Sequence, residues 1–283
     1  MNDQIFRDAL ASLPPVFRDA HPYASLLLGS GWNRAVSSLR VLAEVPYGRI
    51  AGFGAATVIG HDGRLLLVEG PRGGTALVFC GRRHWYEGCE WEPVVMPAVL
   101  THRLGCPTLL VTNAAGGIRP TLRPGDVVIL RDHLRLSPLT PLRGPHDPAF
   151  GPRFPDQSRV YDPALAETLR AAGARQGLEL TDGVYVLSCG PAFETPAEIR
   201  AYGILGADVV GMSTVPEAMV ASACGMRVAG LSFVSNMAAG VTGKLLDGND
   251  VVDCAERHAD RLARLVVDFL DLLAADGAAT PAR

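Results

Sequence analysis

Pro107-Thr108-Leu109-Leu110-Val111-Thr112-Asn113-Ala114-Ala115-Gly116-Gly117 reads as a buried strand that gives way, after Thr112, to small residues. A short aliphatic run of this kind suits a strand covered on both faces. The residues after it leave main-chain N–H groups uncovered, and in open α/β sheets ligands bind at that carboxyl edge. Comparable edges recur at Leu28-Gly29-Ser30-Gly31, Cys80-Gly81-Arg82-Arg83-His84, Ser188-Cys189-Gly190-Pro191 and Val210-Gly211-Met212-Ser213. Together they predict an α/β protein with one anion-binding rim, which points to an enzyme.

Outward from that strand, Ala24–Leu28 reads as a second buried strand, followed by a helix over Gly31–Leu39. Ala56–Ile59, Leu65–Val68 and Thr75–Phe79, separated by glycine-bearing turns, read as antiparallel strands. Helical spacing runs over Pro93–Leu104, Pro163–Gln176, Val215–Cys224 and Pro196–Leu205, the last behind Thr195 as N-cap. Asp126–Leu130, Gly183–Ser188 and Arg227–Val234 are extended. His133–Tyr161 has no strong periodicity, and so long a loop is usually functional or covered by a partner. Asp250–Leu273 is an amphipathic helix with Val251, Cys254, His258, Leu262, Leu265 and Phe269 along one side. No repeat or linker divides the chain. The expectation is a single α/β domain over 1–283, a central mixed β-sheet flanked by helices, with a helical N-terminal extension over 1–23 and a flexible tail over 276–283.

Composition narrows the function classes. A 283-residue chain with net charge −3 gives no electrostatic reason to expect nucleic acid or an anionic membrane as partner. No apolar run approaches a membrane span, and the first residues lack the basic-then-apolar pattern of a signal peptide. The six cysteines are scattered without a CxxC pair, so free thiols in the cytoplasm are expected. The histidines show no metal-ligand spacing, so no metal is expected.

Four stretches carry chemistry. Gly29-Ser30-Gly31 starts like a dinucleotide fingerprint, but Arg34 stands where the third glycine belongs. A tight turn explains the glycines equally well, and Ser30 offers a hydroxyl and an N–H to an anion. Gly81 to Gly88 sets Arg82, Arg83 and His84 directly after an apolar strand, with Arg82, His84 and Tyr86 alternating onto one face; the bland alternative is a surface charge cluster. In Gly190 to Thr195, Phe193 offers a ring to stack on a planar heterocycle and Glu194 a carboxylate for ring N–H groups. Those two residues also fit a core aromatic and a first-turn helix charge. Asn236 ends another buried strand with an amide that both donates and accepts, or it is a turn residue.

Taken in order, these segments resemble the trimeric class of purine nucleoside phosphorylases. The matching stretches run from Gly29-Ser30-Gly31 through Gly60-His61-Asp62-Gly63-Arg64, Gly81 to Gly88, Thr112 to Gly117, Arg131-Asp132-His133, Pro141 to Pro145, Arg153-Phe154-Pro155, Gly190 to Thr195 and Gly211 to Glu217 to Asn236 through Gly240. The resemblance implies a phosphorylase/hydrolase-like fold, reversible phosphorolysis of a purine nucleoside, inorganic phosphate as co-substrate, no metal or organic cofactor, and a homotrimer. It implies that Ser30, His61, Arg82, His84, the N–H of Ala114 and Ser213 hold phosphate. Tyr86 and Met212 would line the sugar, and Phe154 would reach a neighbouring subunit's site. Phe193, Glu194 and Asn236 would hold the base, with His84, Glu194 and Asn236 the catalytic set.

The chemistry matches those residue types. As the glycosidic bond stretches, the sugar turns cationic and the purine anionic, so a phosphate beneath the sugar and donors around the base lower the barrier. Asn236 also separates relatives, because methylthioadenosine phosphorylases carry Asp there; Asn predicts inosine and guanosine as substrates and adenosine as a poor one. The chain departs from the family pattern at Leu246-Asp247-Gly248-Asn249-Asp250, where the histidine that meets the sugar 5′-hydroxyl is missing, at Trp32-Asn33-Arg34 after the first glycine turn, and at Ser235 in place of the commoner Thr. The competing readings are a methylthioadenosine phosphorylase-like enzyme, a nucleoside hydrolase, a non-catalytic nucleoside-binding protein and a dinucleotide-dependent dehydrogenase.

Overall fold

The computed structural model describes residues 1–57, 62–137 and 140–277. Two helices open the chain, α1 (Asp3–Ser12) and α2 (Pro15–Arg18). The sheet strands are β1 (Ala24–Leu28), β2 (Arg40–Pro46), β3 (Arg64–Glu69), β4 (Thr75–Cys80), β5 (Thr108–Gly117), β6 (Val127–Arg135), β7 (Thr181–Leu187), β8 (Val209–Gly211) and β9 (Arg227–Met237). Between them lie α3 (Trp91–Arg103), α4 (Pro163–Ala174), α5 (Pro196–Ile204) and α6 (Val215–Ala223), and α7 (Gly248–Ala275) closes the fold.

The strands form one mixed sheet in the order β2-β3-β4-β1-β5-β8-β7-β6-β9, with β9 also pairing back to β5. The expected mixed sheet is therefore an open half joined to a five-stranded ring, and β5 belongs to both. Period-2 alternation sorts the aliphatic strands between two cores. Leu27, Leu77, Phe79, Leu109 and Val111 face a core shared with α1, α3 and α6, while Leu26, Val78, Cys80 and Leu110 face one shared with α4 and α7. With both faces covered, these strands read as unbroken apolar runs.

Several local readings change. The helix expected over Gly31–Leu39 is a short 3₁₀ stretch, Asn33–Ser38. The strand expected at Ala56–Ile59 is absent at Ala56 and Thr57, and Val58 and Ile59 lie outside the described residues. Its place beside β3 belongs to β2, an edge strand of which only Val45 is buried. An edge strand buries so little that its apolar pattern is faint. The reading of β5 as ending at Thr112 is also corrected: it runs to Gly117 because β9 and β8 pair with it there. The N-terminal segment docks through buried Asp3, whose carboxylate meets Arg7 and Arg103, and through Phe6 edge-on to Phe150 of the long loop, centroids 5.4 Å apart. From 278 on, the expected tail lies outside the described residues. Among the described residues, no helix is long and apolar enough to cross a membrane.

Candidate active site

The site lies where β5 changes partners. Along one edge β5 pairs with β1 over Leu109–Val111 and with β8 over Gly116–Gly117, leaving Thr112–Ala115 uncovered by either strand. A cavity of about 490 Å³ opens there, within the usual range for small-molecule sites. It is lined by Ser30, Arg82, His84, Tyr86, Ala114, Phe193, Glu194, Met212, Ser213 and Asn236, among others. Ten of the sequence-selected residues thus meet around one space.

Backbone demands explain the glycines. A Cβ on Gly29 would sit 2.6 Å from Thr112 O and 2.9 Å from Asn113 Cα, so the turn after β1 can press onto β5 only as glycine. Trp32, fully buried, fastens the same turn by donating its indole N–H to Asn113 O at 3.0 Å. Gly190 adopts φ +63°, and a Cβ there would meet Met212 Sδ at 2.5 Å. It turns the chain into the loop that carries Phe193 and Glu194.

The cationic stretch after β4 is not a surface cluster. Arg82 is 1% exposed, and its Nη1 donates to Glu217 Oε1 at 2.9 Å and to Thr214 Oγ1 at 3.3 Å. Its Nη2 donates to Leu27 O and Thr112 O. Arg83 turns away from the cavity, donating Nε to Glu87 Oε2 at 2.8 Å. Glu87 Oε1 accepts from the His84 backbone N–H at 2.6 Å and lies 2.9 Å from His84 Nδ1. With Nδ1 held there, the imidazole presents Nε2 on its other side. Burial opposes ionisation of Glu87, but hydrogen bonds from the His84 ring, Thr57 and the His84 N–H outweigh it and hold the carboxyl at about 2. Tyr86 lies in a 3₁₀ turn rather than on a strand face, stacked on His84 with centroids 4.7 Å apart. Burial, and then Glu87, push its phenol up to about 12, so it stays protonated at neutral pH.

On the opposite loop, Phe193 is 44% exposed on the cavity, not a core aromatic. Glu194 is buried, and its Oε1 has no hydrogen-bond partner among the described residues. Such an oxygen carries a desolvation penalty that a donor in the cavity relieves. Asn236 lies within β9, not in a turn; its Oδ1 accepts from Ser235 Oγ at 2.7 Å and its Nδ2 donates to Met237 O at 3.1 Å. Leu246, Asp247, Gly248 and Asn249, with Val251 and Val252, line the cavity where the departure from the family pattern was noted.

The structure does not bring every selected residue together. Phe154 is 88% exposed on the long loop and does not line this cavity. His61 lies outside the described residues. None of the six cysteines is in a disulfide, and no group of three or more His, Cys, Asp or Glu among the described residues is arranged to hold a metal ion.

Residues 25–271 match the model of the Phosphorylase superfamily. The chain belongs to that family. It is 42% identical to purine nucleoside phosphorylase 1 of Geobacillus stearothermophilus over 87% of this chain and 89% of that one. It is 41% identical to the purine nucleoside phosphorylase of Mus musculus over 87% of both. The crystal structure of Schistosoma mansoni purine nucleoside phosphorylase in complex with adenosine superposes with a TM-score of 0.85 at 32% identity, covering 95% of this chain and 96% of that one.

Within this phosphorylase fold, sequence reasoning passed over Glu87, Asn113, Thr214 and Glu217. Thr214 holds φ +73°, unusual for a β-branched residue, and its Oγ1 also accepts from Asn113 Nδ2 at 2.9 Å. Nothing in the local sequence marks Glu217 as the partner of Arg82, 135 positions away. Glu87 escaped because an extended reading puts residues 84 and 87 on opposite faces, whereas the 3₁₀ turn brings them together.

Proposed function

We propose that the chain catalyses reversible phosphorolysis of 6-oxopurine nucleosides, inosine and guanosine and their deoxy forms, yielding free base and (deoxy)ribose 1-phosphate. The observation that carries this reading is the partnerless Glu194 Oε1, buried on the same cavity as Phe193, Asn236, Arg82 and His84. A purine N1–H supplies the donor Glu194 lacks, and Phe193 offers a face to the ring. Ser30, Arg82, His84, the Ala114 N–H and Ser213 are assigned to phosphate, with His61 over it, and Tyr86 and Met212 to the sugar.

The bond that breaks is C1′–N9, and its electron pair passes to the purine. The bond that forms joins C1′ to a phosphate oxygen on the opposite face, with inversion. Phosphate stabilises the oxocarbenium-like sugar before it attacks, and Asn236, exchanging its Ser235 and Met237 partners for the base, accepts from a proton-bearing N7 and donates to O6. No protein nucleophile, metal or organic cofactor enters. The exposure of Phe154 supports a homotrimer in which it completes a neighbour's site, and the unpaired cysteines support a cytoplasmic setting.

The test is inosine cleavage with and without inorganic phosphate. Hypoxanthine and ribose 1-phosphate are expected only when phosphate is present. Equal hypoxanthine release without phosphate would make the chain a hydrolase, and binding without turnover would make it a nucleoside-binding protein; either result overturns the reading.

A further inference from the structure

We infer that Glu217 is a built-in competitor for the guanidinium assigned to phosphate, so that it sets how tightly the site holds that anion. The inference rests on the phosphorolysis reading above. Arg82 lines the cavity and Glu217 does not, yet Glu217 Oε1 accepts from Arg82 Nη1 at 2.9 Å with both side chains out of solvent, at 1% and 0% exposure. Phosphate entering the cavity therefore meets a guanidinium already neutralised from behind.

The pairing is not that of a buried bridge built only for stability. Such a bridge offsets its desolvation when the carboxylate uses both oxygens, and a two-pronged fit to arginine does this best. Here Glu217 Oε2 is buried with no partner among the described residues. Arg82 also donates to the neutral oxygens of Leu27, Thr112 and Thr214. Glu217 brings a full negative charge to it.

The start of α6 builds this opposition into five residues of chain. Ser213 lines the cavity, Thr214 follows at φ +73° with its hydroxyl on Arg82, and Glu217 follows on the first turn. One element thus presents a phosphate donor and a phosphate rival. A reversible enzyme gains from the rival, because ribose 1-phosphate and phosphate must both leave the same donors.

Glu217→Gln in the full-length protein removes the charge while keeping the shape. A unit charge a few ångströms from a doubly charged anion, partly screened, is worth about tenfold in affinity. The variant should lower the phosphate KM by about that factor, leave the inosine KM in place, and show a larger phosphate-induced rise in Tm than wild type. A phosphate KM that is unchanged or raised overturns the inference, as does a parallel loss of both substrates' KM values, the mark of a merely structural residue. If the Gln variant does not fold, Glu217→Asp withdraws the carboxylate by one methylene and should lower the phosphate KM two- to threefold, with no lowering counting against the inference. The Tm measurement separates this inference from the function assigned above: an enlarged phosphate shift upholds the competition even in a chain that cleaves no nucleoside.

Discussion

Glu87→Gln should strip out most of the acid sensitivity that this site adds to folding. In the native chain the Glu87 carboxylate takes the His84 N–H at 2.6 Å, Arg83 Nε at 2.8 Å and Thr57 Oγ1 at 2.5 Å, and lies 2.9 Å from His84 Nδ1. Burial disfavours its charge, yet these bonds prevail, and the carboxyl falls from its ordinary 4.5 to about 2. A lowering of that size corresponds to at most about 3 kcal/mol of differential stabilisation. Because the folded value lies below the unfolded one, that contribution is complete above about pH 4.5 and drains away as the pH falls toward 2. Urea unfolding of both proteins at one protein concentration, from pH 7 to pH 2.5, checks this. The Gln variant should be less stable at pH 7 by at most about 3 kcal/mol, with the gap closing below about pH 4.5. A gap that stays constant across the range would mean the network does not bias the ionisation of Glu87, and the account of how His84 is held would go with it.

Asn236→Asp should raise the adenosine-to-inosine ratio of kcat/KM by about 10² or more, since it exchanges a donor for an acceptor beside the 6-position; an unaltered ratio in steady-state assays would refute the base assignment. Gly29→Ala drives a Cβ to 2.6 Å from Thr112 O, so it should cost about 1–3 kcal/mol in thermal unfolding and raise the phosphate KM through the adjacent Ser30. Wild-type melting and kinetics would show that the turn has room to move. Phe154→Ala should raise the inosine KM about tenfold, and refolding it together with Glu194→Ala chains should recover part of the lost activity through sites assembled from two copies. No recovery in the mixture would argue against a shared site.

Much of the site was legible because each of its segments follows a buried strand, and strand periodicity is a local property. Ser30, Arg82, His84, Ala114 and Asn236 all stand at or beyond such runs, so small residues and hydrogen-bonding side chains after an apolar stretch were enough to select them. The edge strand β2 escaped the same reasoning, since exposure dilutes its pattern. The choice between a surface charge cluster and a buried anion site at Arg82 was not local either. It turns on Glu217 and Thr214, which α6 delivers from more than 130 positions away.

The apolar runs of the buried strands and the residue types of the pocket were set by sequence alone, because periodicity and side-chain chemistry are read within a few residues. Only the folded chain decided which charges meet. β5 leaves one edge uncovered between β1 and β8, the Gly29 turn presses against it, and Arg82 goes into that corner already paired with Glu217. Electrostatics depends on distance and burial, and neither is written along the chain.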